Sequence, residues 1–230
     1  DFLERGLRVA VIDLDTQANA SFTLAAHQSG YLASQLFSGD TDGLRYWFGQ
    51  RENNGIALIP ADSSLANLDK MELPQAAASL RASVAALGEF FDVCLIDTAP
   101  SLGVAMTAAV LSADYMLSPV EMEAYSLQGM KKMVSVIGNL RKMNPKLRFL
   151  GMVPNKVDAR KPRHVANLAM LQQAYPQLVL PFSIGARDSI AEALGEQMPV
   201  WKIKKTAARK ATQEVRALGE YVFTKMEIAQ

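Results

Sequence analysis

Two short apolar segments that each end in aspartate place the strongest constraint on how this chain folds. Residues 8–15 (RVAVIDLD) and residues 91–97 (FDVCLID) are rich in Val, Ile and Leu. Runs of this length and composition are typical of strands that are buried on both faces of a sheet. Four further strands are predicted by weaker apolar segments, at residues 56–60, 115–119, 149–153 and 178–181.

Segments with a helical pattern alternate with these strands. Five helices are predicted, at residues 80–87, 126–143, 165–174, 189–195 and 206–226. Residues 38–55 are rich in Gly, Asp and Asn and are predicted to form a loop region. The alternation indicates an α/β fold, a three-layer sandwich with a mostly parallel sheet. Because no repeat, low-complexity segment or linker is visible, we expect residues 1–230 to form a single domain.

The composition limits the class of protein and its compartment. Half of the 230 residues are hydrophobic, which excludes a disordered chain. The single cysteine, Cys94, excludes a disulfide framework and favours a reducing compartment, so we expect a cytoplasmic protein. No apolar run reaches the ~18 residues of a transmembrane helix. Residues 224–230 (TKMEIAQ) lack the basic and aromatic residues of a membrane-binding helix, so we expect no membrane attachment.

The two halves of the chain carry opposite charge. Residues 1–100 contain 6 basic and 13 acidic residues, a net charge of −7. Residues 101–230 contain 18 basic and 10 acidic residues, a net charge of +8. This asymmetry suggests that the basic half binds a polyanion, although an unevenly charged solvated surface would give the same pattern.

Acidic and polar residues follow three of the predicted strands. Asp13 and Asp15 end the first apolar segment, Asp97 ends the second, and Asn155 begins an NKVD sequence after the strand at 149–153. Ligands bind at the carboxyl ends of the strands in open α/β sheets. Mg²⁺ prefers one or two carboxylates together with phosphate oxygens. The pattern therefore predicts a nucleotide site with Mg²⁺, in which a carboxylate orients the attacking water.

A phosphate-binding loop is missing from this pattern. Phosphoryl-transfer sites of this kind need a glycine-rich loop with a lysine, and the sequence has neither a Gly-Lys dipeptide nor a GxGxxG motif. Residues 1–6 (DFLERG) have the pattern of the last turn of a helix that Gly6 terminates. We therefore expect the first strand and its phosphate loop to precede residue 1, and a fragment without them to lack nucleotide hydrolysis. The strand at 91–97 would then have an unpaired edge, which predicts aggregation.

In combination, these segments resemble the ParA family of partition ATPases. Residues 8–21 (RVAVIDLDTQANAS) are similar to the family's DxDPQGN segment, and residues 92–103 (DVCLIDTAPSLG) are similar to its Walker B strand and the following switch. Residues 118–129 (SPVEMEAYSLQG), residues 149–158 (FLGMVPNKVD) and a basic C-terminal helix follow in the family's order. The resemblance covers essentially the whole chain and extends to the ParA proteins of IncP-group plasmids.

The resemblance implies a P-loop NTPase of the SIMIBI type that uses ATP and Mg²⁺, here without its first strand and P-loop. Such proteins form a homodimer around ATP, bind duplex DNA without sequence specificity on the nucleoid, and are stimulated by a ParB-type centromere-binding protein. By motif position, Asp15 would orient or activate the hydrolytic water, and Asp13 and Asp97 would act through the Mg²⁺ shell. Four residues would bind the nucleotide, the first two in the γ-phosphate switch and the others near adenine: Thr98, Pro100, Asn155 and Pro181.

Two positions depart from the family pattern. Thr16 replaces the usual Pro, which loosens a turn that Pro would pre-set. Ala18 replaces the usual Gly, and this change is unfavourable if the position requires a positive φ angle. We expect the protein to tolerate both changes.

Basic residues near the C-terminus are the predicted DNA contacts. In the helix at 206–226, apolar residues at 211, 215, 218, 222 and 226 form one buried stripe. Lys205, Arg209 and Arg216 are expected along another face, where they could neutralise phosphates without reading bases. The full predicted DNA-binding set is Lys202, Lys204, Lys205, Arg209, Lys210 and Arg216.

Two other interpretations stay open on the sequence. The first is a non-catalytic fragment of such a protein that binds DNA and a partner without ATP turnover. The second is a dinucleotide-binding oxidoreductase in which Asp13 or Asp15 holds a ribose hydroxyl. The absence of a GxGxxG motif and the presence of the DTAP sequence at 97–100 disfavour the oxidoreductase.

Overall fold

The computed structural model describes residues 1–53, 55–100, 103–122 and 127–227, with only the backbone at residues 127–130, 132 and 133. It divides the chain into two compact units, Asp1–Ala113 and Asp114–Gln230. Each unit contains its own parallel sheet and its own hydrophobic core.

The sheet of the first unit has three parallel strands in the order β2-β1-β3. The central strand β1 (Val9–Asp13) pairs with β2 (Ile56–Ile59) on one side and with β3 (Val93–Asp97) on the other. Every residue of β1 is buried, as expected for a strand that is flanked on both edges and covered on both faces. The three strands predicted in this half of the chain are confirmed, each somewhat shorter than predicted.

Four α-helices accompany this sheet: α1 (Asn19–Thr23), α2 (Thr41–Gly49), α3 (Leu73–Leu87) and α4 (Val104–Ser112). Short 3₁₀ segments lie at Leu3–Arg5, Ala25–His27, Ala33–Phe37 and Ser63–Lys70. The core of the unit joins Ile12 of β1 with Phe48 of α2 and Leu80 of α3, all of which are fully buried. The helix predicted at 80–87 is confirmed, and its N-terminal end extends to Leu73.

Helix α2 corrects the prediction that residues 38–55 form a loop region. The Asp40 carboxylate caps the helix by accepting a hydrogen bond from the backbone N–H of Gly43 at 2.8 Å. Leu44 and Phe48, four residues apart on one face, are completely buried. Burial of this face therefore outweighs the low helix propensity of the Gly- and Asp-rich composition.

The sheet of the second unit pairs β4 (Tyr115–Glu121) with β5 (Arg148–Asn155) in parallel. Its helices are α5 (Leu127–Met143), α6 (Pro162–Ala174), α7 (Asp188–Gly195) and α8 (Ala208–Lys225), and a 3₁₀ segment lies at Val200–Lys202. Val120 of β4, Met152 of β5 and Leu171 of α6 are fully buried together in its core. The strands and helices predicted in this region are confirmed, with one exception.

The exception is the strand predicted at residues 178–181, which is wrong. In its place, a single β-bridge joins Val179 to Met152 of β5. The backbone N–H of Met152 donates to the carbonyl of Leu178 at 2.7 Å, and that of Leu180 donates to the carbonyl of Met152 at 2.9 Å. The next bond of a parallel ladder would run from the N–H of residue 154 of β5 to the carbonyl of Leu180, and Pro154 has no N–H to donate, so the ladder cannot continue as a regular strand.

Strand β3 is an edge strand among the described strands, since it pairs with β1 alone. Its burial alternates along the strand, and Leu95 is 39% exposed. The predicted unpaired edge is therefore present in the described part of the fold, and aggregation through it stays a prediction.

Within the described ranges, the helices lack the combination of length and apolar character that crossing a bilayer requires.

Candidate nucleotide-binding site

The carboxyl ends of β1 and β3 bring two of the predicted acids side by side. Asp13 and Asp97 are register partners in the parallel pairing of the two strands. The pairing continues one residue further, because the backbone N–H of Leu14 donates to the Asp97 carbonyl at 2.9 Å. The sheet register therefore sets the position of both acids at the edge where α/β proteins bind ligands.

Asp13 is completely buried, and both of its carboxylate oxygens accept hydrogen bonds. Oδ1 accepts from the backbone N–H of Asp15 at 3.0 Å. Oδ2 accepts from Ser21 twice, from the backbone N–H at 2.8 Å and from the hydroxyl at 2.6 Å. These hydrogen bonds replace the water molecules that the Asp13 carboxylate loses on burial. The geometry fits an indirect role for Asp13 better than direct ligation of a metal ion.

The loop after β1 folds back on Asp15 through a local turn. The Asp15 carboxylate accepts from the backbone N–H of Gln17 at 2.9 Å, and its carbonyl accepts from the backbone N–H of Ala18 at 2.9 Å. Ala18, at the N-cap of α1, has φ 55° and ψ 33°, which is the left-handed helical region. The condition under which the replacement of Gly by Ala is unfavourable is therefore met, because Ala18 adopts a conformation that glycine would adopt without strain.

The carboxyl group of Asp97 is in an environment that disfavours its charged form. Partial burial raises the pKa of the Asp97 carboxyl, and the negative charges of Asp13 and Asp15 raise it further. The backbone N–H of Thr98 donates to the carboxylate and opposes this change. Three carboxyl groups are thus close enough to interact, and a divalent cation beside them would relieve their repulsion.

The carboxylate oxygens at this edge fit a Mg²⁺ ion that takes only some of its ligands from the protein. Asp15 is half-buried, and Asp97 keeps a solvent-accessible surface although neighbouring groups desolvate part of its carboxyl, so a ligand can reach both residues. Among the described residues, no cluster of three or more His, Cys, Asp or Glu side chains forms a metal site by itself. One or two carboxylates completed by phosphate oxygens and water is the arrangement that Mg²⁺ prefers.

The segment after β3 carries the predicted γ-phosphate switch. Thr98 is half-buried and Pro100 is exposed, and residues 101 and 102 lie outside the described ranges. Beyond them, the first backbone N–H of α4, from Val104, donates to the carboxylate of Asp69 at 3.2 Å. A cavity of about 290 Å³ beside this contact is lined by Thr16, Asp69, Ala99 and other residues of the first unit.

The predicted adenine-side residues lie in the second unit. Asn155 ends β5, and its side-chain oxygen accepts from the backbone N–H of Lys156 at 2.9 Å. Lys156 has φ 51° and forms an ion pair with Glu121 of β4 at 2.6 Å. Pro181 is exposed and directly follows the residues that bridge to β5. The structure therefore groups Asp13, Asp15, Asp97 and Thr98 in one unit, and Asn155 and Pro181 in the other.

Two of the six predicted DNA-binding residues contact other side chains of the protein. Lys205 donates to both oxygens of Glu192, at 2.6 and 2.8 Å, which raises the pKa of Lys205. Arg216 lies over the ring of Trp201 with its guanidinium carbon 4.1 Å from the ring centroid. The other four predicted residues are exposed: Lys202, Lys204, Arg209 and Lys210.

The start of α8 corrects the predicted geometry of this basic face. The helix begins at Ala208, so Lys205 precedes it and cannot continue a helical stripe through Arg209. The apolar stripe is confirmed at its N-terminal end, where Ala211 is buried and Val215 packs against the core. Leu218 extends the packing to a second cluster.

The charge asymmetry coincides with the structural division of the chain. Residues 101–113 carry no charged side chain, so the first unit has a net charge of −7 and the second a net charge of +8. Each unit therefore has the charge that its predicted ligand requires: carboxylates for Mg²⁺ in one, and cations for a polyanion in the other.

Comparison with known sequences identifies the family. Residues 1–149 match the family model described as "AAA domain". The whole chain is similar to two proteins named IncC from Escherichia coli, at 89% identity over 230 residues and 55% over 237 residues. It is also 30% identical over 156 residues to the chromosome-partitioning ATPase Soj of Thermus thermophilus, covering 67% of this chain and 59% of that protein. The chain belongs to the ParA family of partition ATPases.

This ParA-family chain spans only part of its relatives, 64% and 65% of the length of the two IncC proteins. Solved structures confirm the P-loop NTPase type of α/β fold. A complex of Cyanothece McdA with ATP is 21% identical with a TM-score of 0.77, and covers all of this chain and 88% of that one. Cobyrinic acid a,c-diamide synthase from Mycobacterium smegmatis, with bound ADP and magnesium, is 24% identical with a TM-score of 0.66, and covers all of this chain and 88% of that one.

Two residues of the site were missed by the sequence analysis. Ser21 is a single serine in a polar stretch, and nothing in its spacing indicates that it contacts Asp13. Asp69 lies 35 residues before the helix end that it caps, so no local pattern links the two. Both contacts depend on tertiary structure, and only the proximity of Ser21 to the DxD sequence could have drawn attention to it.

Proposed function

We propose that the whole protein is a Mg²⁺-dependent partition ATPase whose hydrolytic centre includes the carboxyl ends of β1 and β3. The observation that carries this proposal is the cluster of Asp13, Asp15 and Asp97, in which burial and the negative charges of the other two acids raise the pKa of Asp97. Membership of the ParA family supports it, as do the ADP and magnesium bound to cobyrinic acid a,c-diamide synthase, which has this fold.

In this proposal each acid has a separate role. Asp15 orients the attacking water, because its carboxylate is accessible and its loop is held by hydrogen bonds at both ends. Asp97 holds the Mg²⁺ shell, and bound Mg²⁺ supplies electrostatic stabilisation of the phosphate oxygens. Asp13 holds the Asp15 loop in place by accepting a hydrogen bond from the Asp15 backbone N–H. Thr98 and Pro100 respond to the γ-phosphate, and Asn155 and Pro181 contact the adenine.

The test is steady-state ATP hydrolysis by the full-length protein. Asp97→Asn removes a charged oxygen ligand, so we expect the Mg²⁺ concentration for half-maximal activity to rise and the rate to fall by about 100-fold. Asp42→Asn is the matched control, because the Asp42 side chain is 98% exposed on α2. Equal losses in the two variants would contradict the assigned role of Asp97.

We also propose that the basic second unit binds duplex DNA without sequence specificity. The supporting observation is four exposed cations near the start of α8 within a unit of net charge +8. Such charges release counterions from phosphates, so affinity should fall steeply with salt and depend little on sequence. From membership of the family, we further propose that the protein forms a homodimer on ATP, associates with the nucleoid and is stimulated by a ParB-type partner.

The DNA proposal is tested by the salt dependence of binding. Replacing Arg209 and Lys210 by Ala should flatten the slope of log affinity against log salt by about 2, at roughly 0.9 per phosphate contact. Replacing Lys205 should have less effect, because Glu192 already holds its ammonium group. Lys70→Ala, which removes one charge from the acidic first unit, is the control and should leave the slope unchanged. An unchanged slope for the double variant would refute the assignment.

A second candidate is that these 230 residues act as a non-catalytic fragment of such a protein, which binds DNA and a partner without ATP turnover. The observation that favours it is the absence of a Gly-Lys dipeptide from these residues. ATP hydrolysis by the 230-residue chain would exclude it. The family assignment leaves the oxidoreductase interpretation without support.

A further inference from the structure

The side chain of Ser21 occupies a buried position between the ends of two strands. The residue is 7% exposed. Its hydroxyl donates to Asp13 Oδ2 at 2.6 Å and accepts from the backbone N–H of Ala61 at 2.9 Å. Asp13 ends β1, and Ala61 follows β2, so one hydroxyl links the two strand ends.

This arrangement fixes the orientation of the hydroxyl. A serine hydroxyl has one hydrogen to donate, and the Ala61 N–H already occupies one of its lone-pair directions. The hydrogen is therefore directed at Asp13, a charge-assisted bond of the short and strong kind. Together with the Ser21 backbone N–H at 2.8 Å, it fixes Oδ2 by two donors from one residue.

Fixing one oxygen of Asp13 also fixes the other. The carboxyl group is planar, so a rotation that moved Oδ2 would move Oδ1 away from the backbone N–H of Asp15. That N–H lies at the start of the turn that presents the Asp15 carboxylate. A path of three hydrogen bonds therefore leads from Ala61 through Ser21 and Asp13 to Asp15.

We propose that Ser21 is a positioning residue for hydrolysis, which holds Asp13 and through it the Asp15 loop in the reactive geometry. This inference rests on the proposed ATPase function, since the role of Asp15 is part of that proposal. Ser21 touches neither nucleotide nor metal in this account. Its effect is on the placement of the water-orienting carboxylate, where an error of about 1 Å can lower a rate by up to about 100-fold.

The test compares Ser21→Ala and Ser21→Thr with Ser83→Ala in the full-length protein. Ser83 is the matched control, because its hydroxyl is also buried and donates to a backbone carbonyl, that of Leu36, at 2.8 Å, away from the acids. Ser83→Ala removes one buried hydrogen bond and Ser21→Ala removes two, one of them to a carboxylate, so both variants should have a lower melting temperature and Ser21→Ala the lower of the two.

Only Ser21→Ala should lower kcat, by about tenfold or more, with KM for ATP unchanged, because it misplaces a group without removing a binding contact. Ser21→Thr keeps the hydroxyl and should restore most of the rate. Amide hydrogen exchange gives a readout that needs no nucleotide. The Asp15 N–H, which does not touch Ser21, should exchange faster in Ser21→Ala and at the wild-type rate in Ser83→Ala.

An unchanged Asp15 exchange rate in Ser21→Ala would overturn the proposal, as would equal losses of kcat in the two alanine variants. The two proposals fail in different ways. If the wild-type protein hydrolyses no ATP, the proposed function fails, and the exchange measurement still decides whether Ser21 positions the Asp15 loop.

Discussion

Replacing Ala18 by Gly should stabilise the protein, although Ala→Gly substitutions normally destabilise. Ala18 has φ 55° and ψ 33° at the N-cap of α1. In this conformation the Cβ atom of an L-residue crowds the backbone, which glycine avoids. The backbone N–H of Ala18 donates to the Asp15 carbonyl at 2.9 Å, and its own carbonyl accepts from the N–H of Phe22 at 2.9 Å, so the conformation is held from both sides.

The magnitude is a difference between two opposing effects. A left-handed conformation costs an L-residue about 1–2 kcal/mol. Glycine loses more backbone freedom on folding, which costs about 0.5–1 kcal/mol relative to alanine. The net expectation for Ala18→Gly is a gain of about 0.5–1 kcal/mol in the free energy of unfolding, since relief of strain exceeds the entropic cost. For a chain of this length that corresponds to roughly 1–4 °C in Tm.

The assay is denaturant unfolding followed by tryptophan fluorescence. The chain has two tryptophans, Trp47 in the first unit and Trp201 in the second. A Trp201→Phe background makes the signal report on the unit that contains Ala18. An unchanged m-value with a higher midpoint would show that stability, and not the extent of unfolding, has changed.

Ala217→Gly provides the control, because Ala217 is exposed in the interior of α8 and lies outside the positive-φ region. Glycine relieves no strain there, so this variant should lose about 0.5–1 kcal/mol. Since Trp201 lies in the same unit as Ala217, the control is measured in the Trp47→Phe background. A loss of stability in Ala18→Gly as large as that in the control would refute the assignment of strain to Ala18.

Two further predictions follow from the first unit. Arg8 donates to Asp92 through its side chain and backbone, which lowers the pKa of Asp92 from 3.8 to about 2. The stabilisation is therefore present above the ordinary pKa and is lost as the pH falls through about 2, so Asp92→Asn should flatten the acid limb of stability between about pH 4 and pH 2 in thermal melts. An unchanged acid limb would contradict this assignment. Leu95→Lys places a charge on the exposed edge strand β3 and should slow aggregation measured by light scattering, whereas the same change at the exposed Leu194 of α7 should have little effect. Equal effects at the two positions would indicate that charge alone, and not the edge, is responsible.

The sequence predicted the strands and the acidic site well because both depend on local chemistry. A run such as VAVID, which is short and rich in β-branched residues, favours a strand buried on both faces, and its terminal Asp13 then lies at the ligand-binding edge. Asp97 follows from the same argument. The family resemblance added the separate roles, which spacing alone does not distinguish.

The features that the sequence did not predict depend on contacts between distant residues. Helix α2 forms in a Gly- and Asp-rich segment because Leu44 and Phe48 are buried in the core. The segment at 178–181 has strand composition, but Pro154 of β5 cannot donate the next hydrogen bond of the ladder. Ser21 gains its role from Asp13 and Ala61, eight residues before it and 40 residues after it.

The central claim is that the acids at the ends of β1 and β3 form the hydrolytic part of a nucleotide site. Single-turnover hydrolysis of bound ATP by the full-length protein and its Asp15→Asn variant tests it most directly, with ATP binding measured in parallel. The account predicts that the variant binds ATP as the wild type does and cleaves it about 100-fold or more slowly, because the water is no longer oriented. Cleavage by the variant at the wild-type rate would contradict the account.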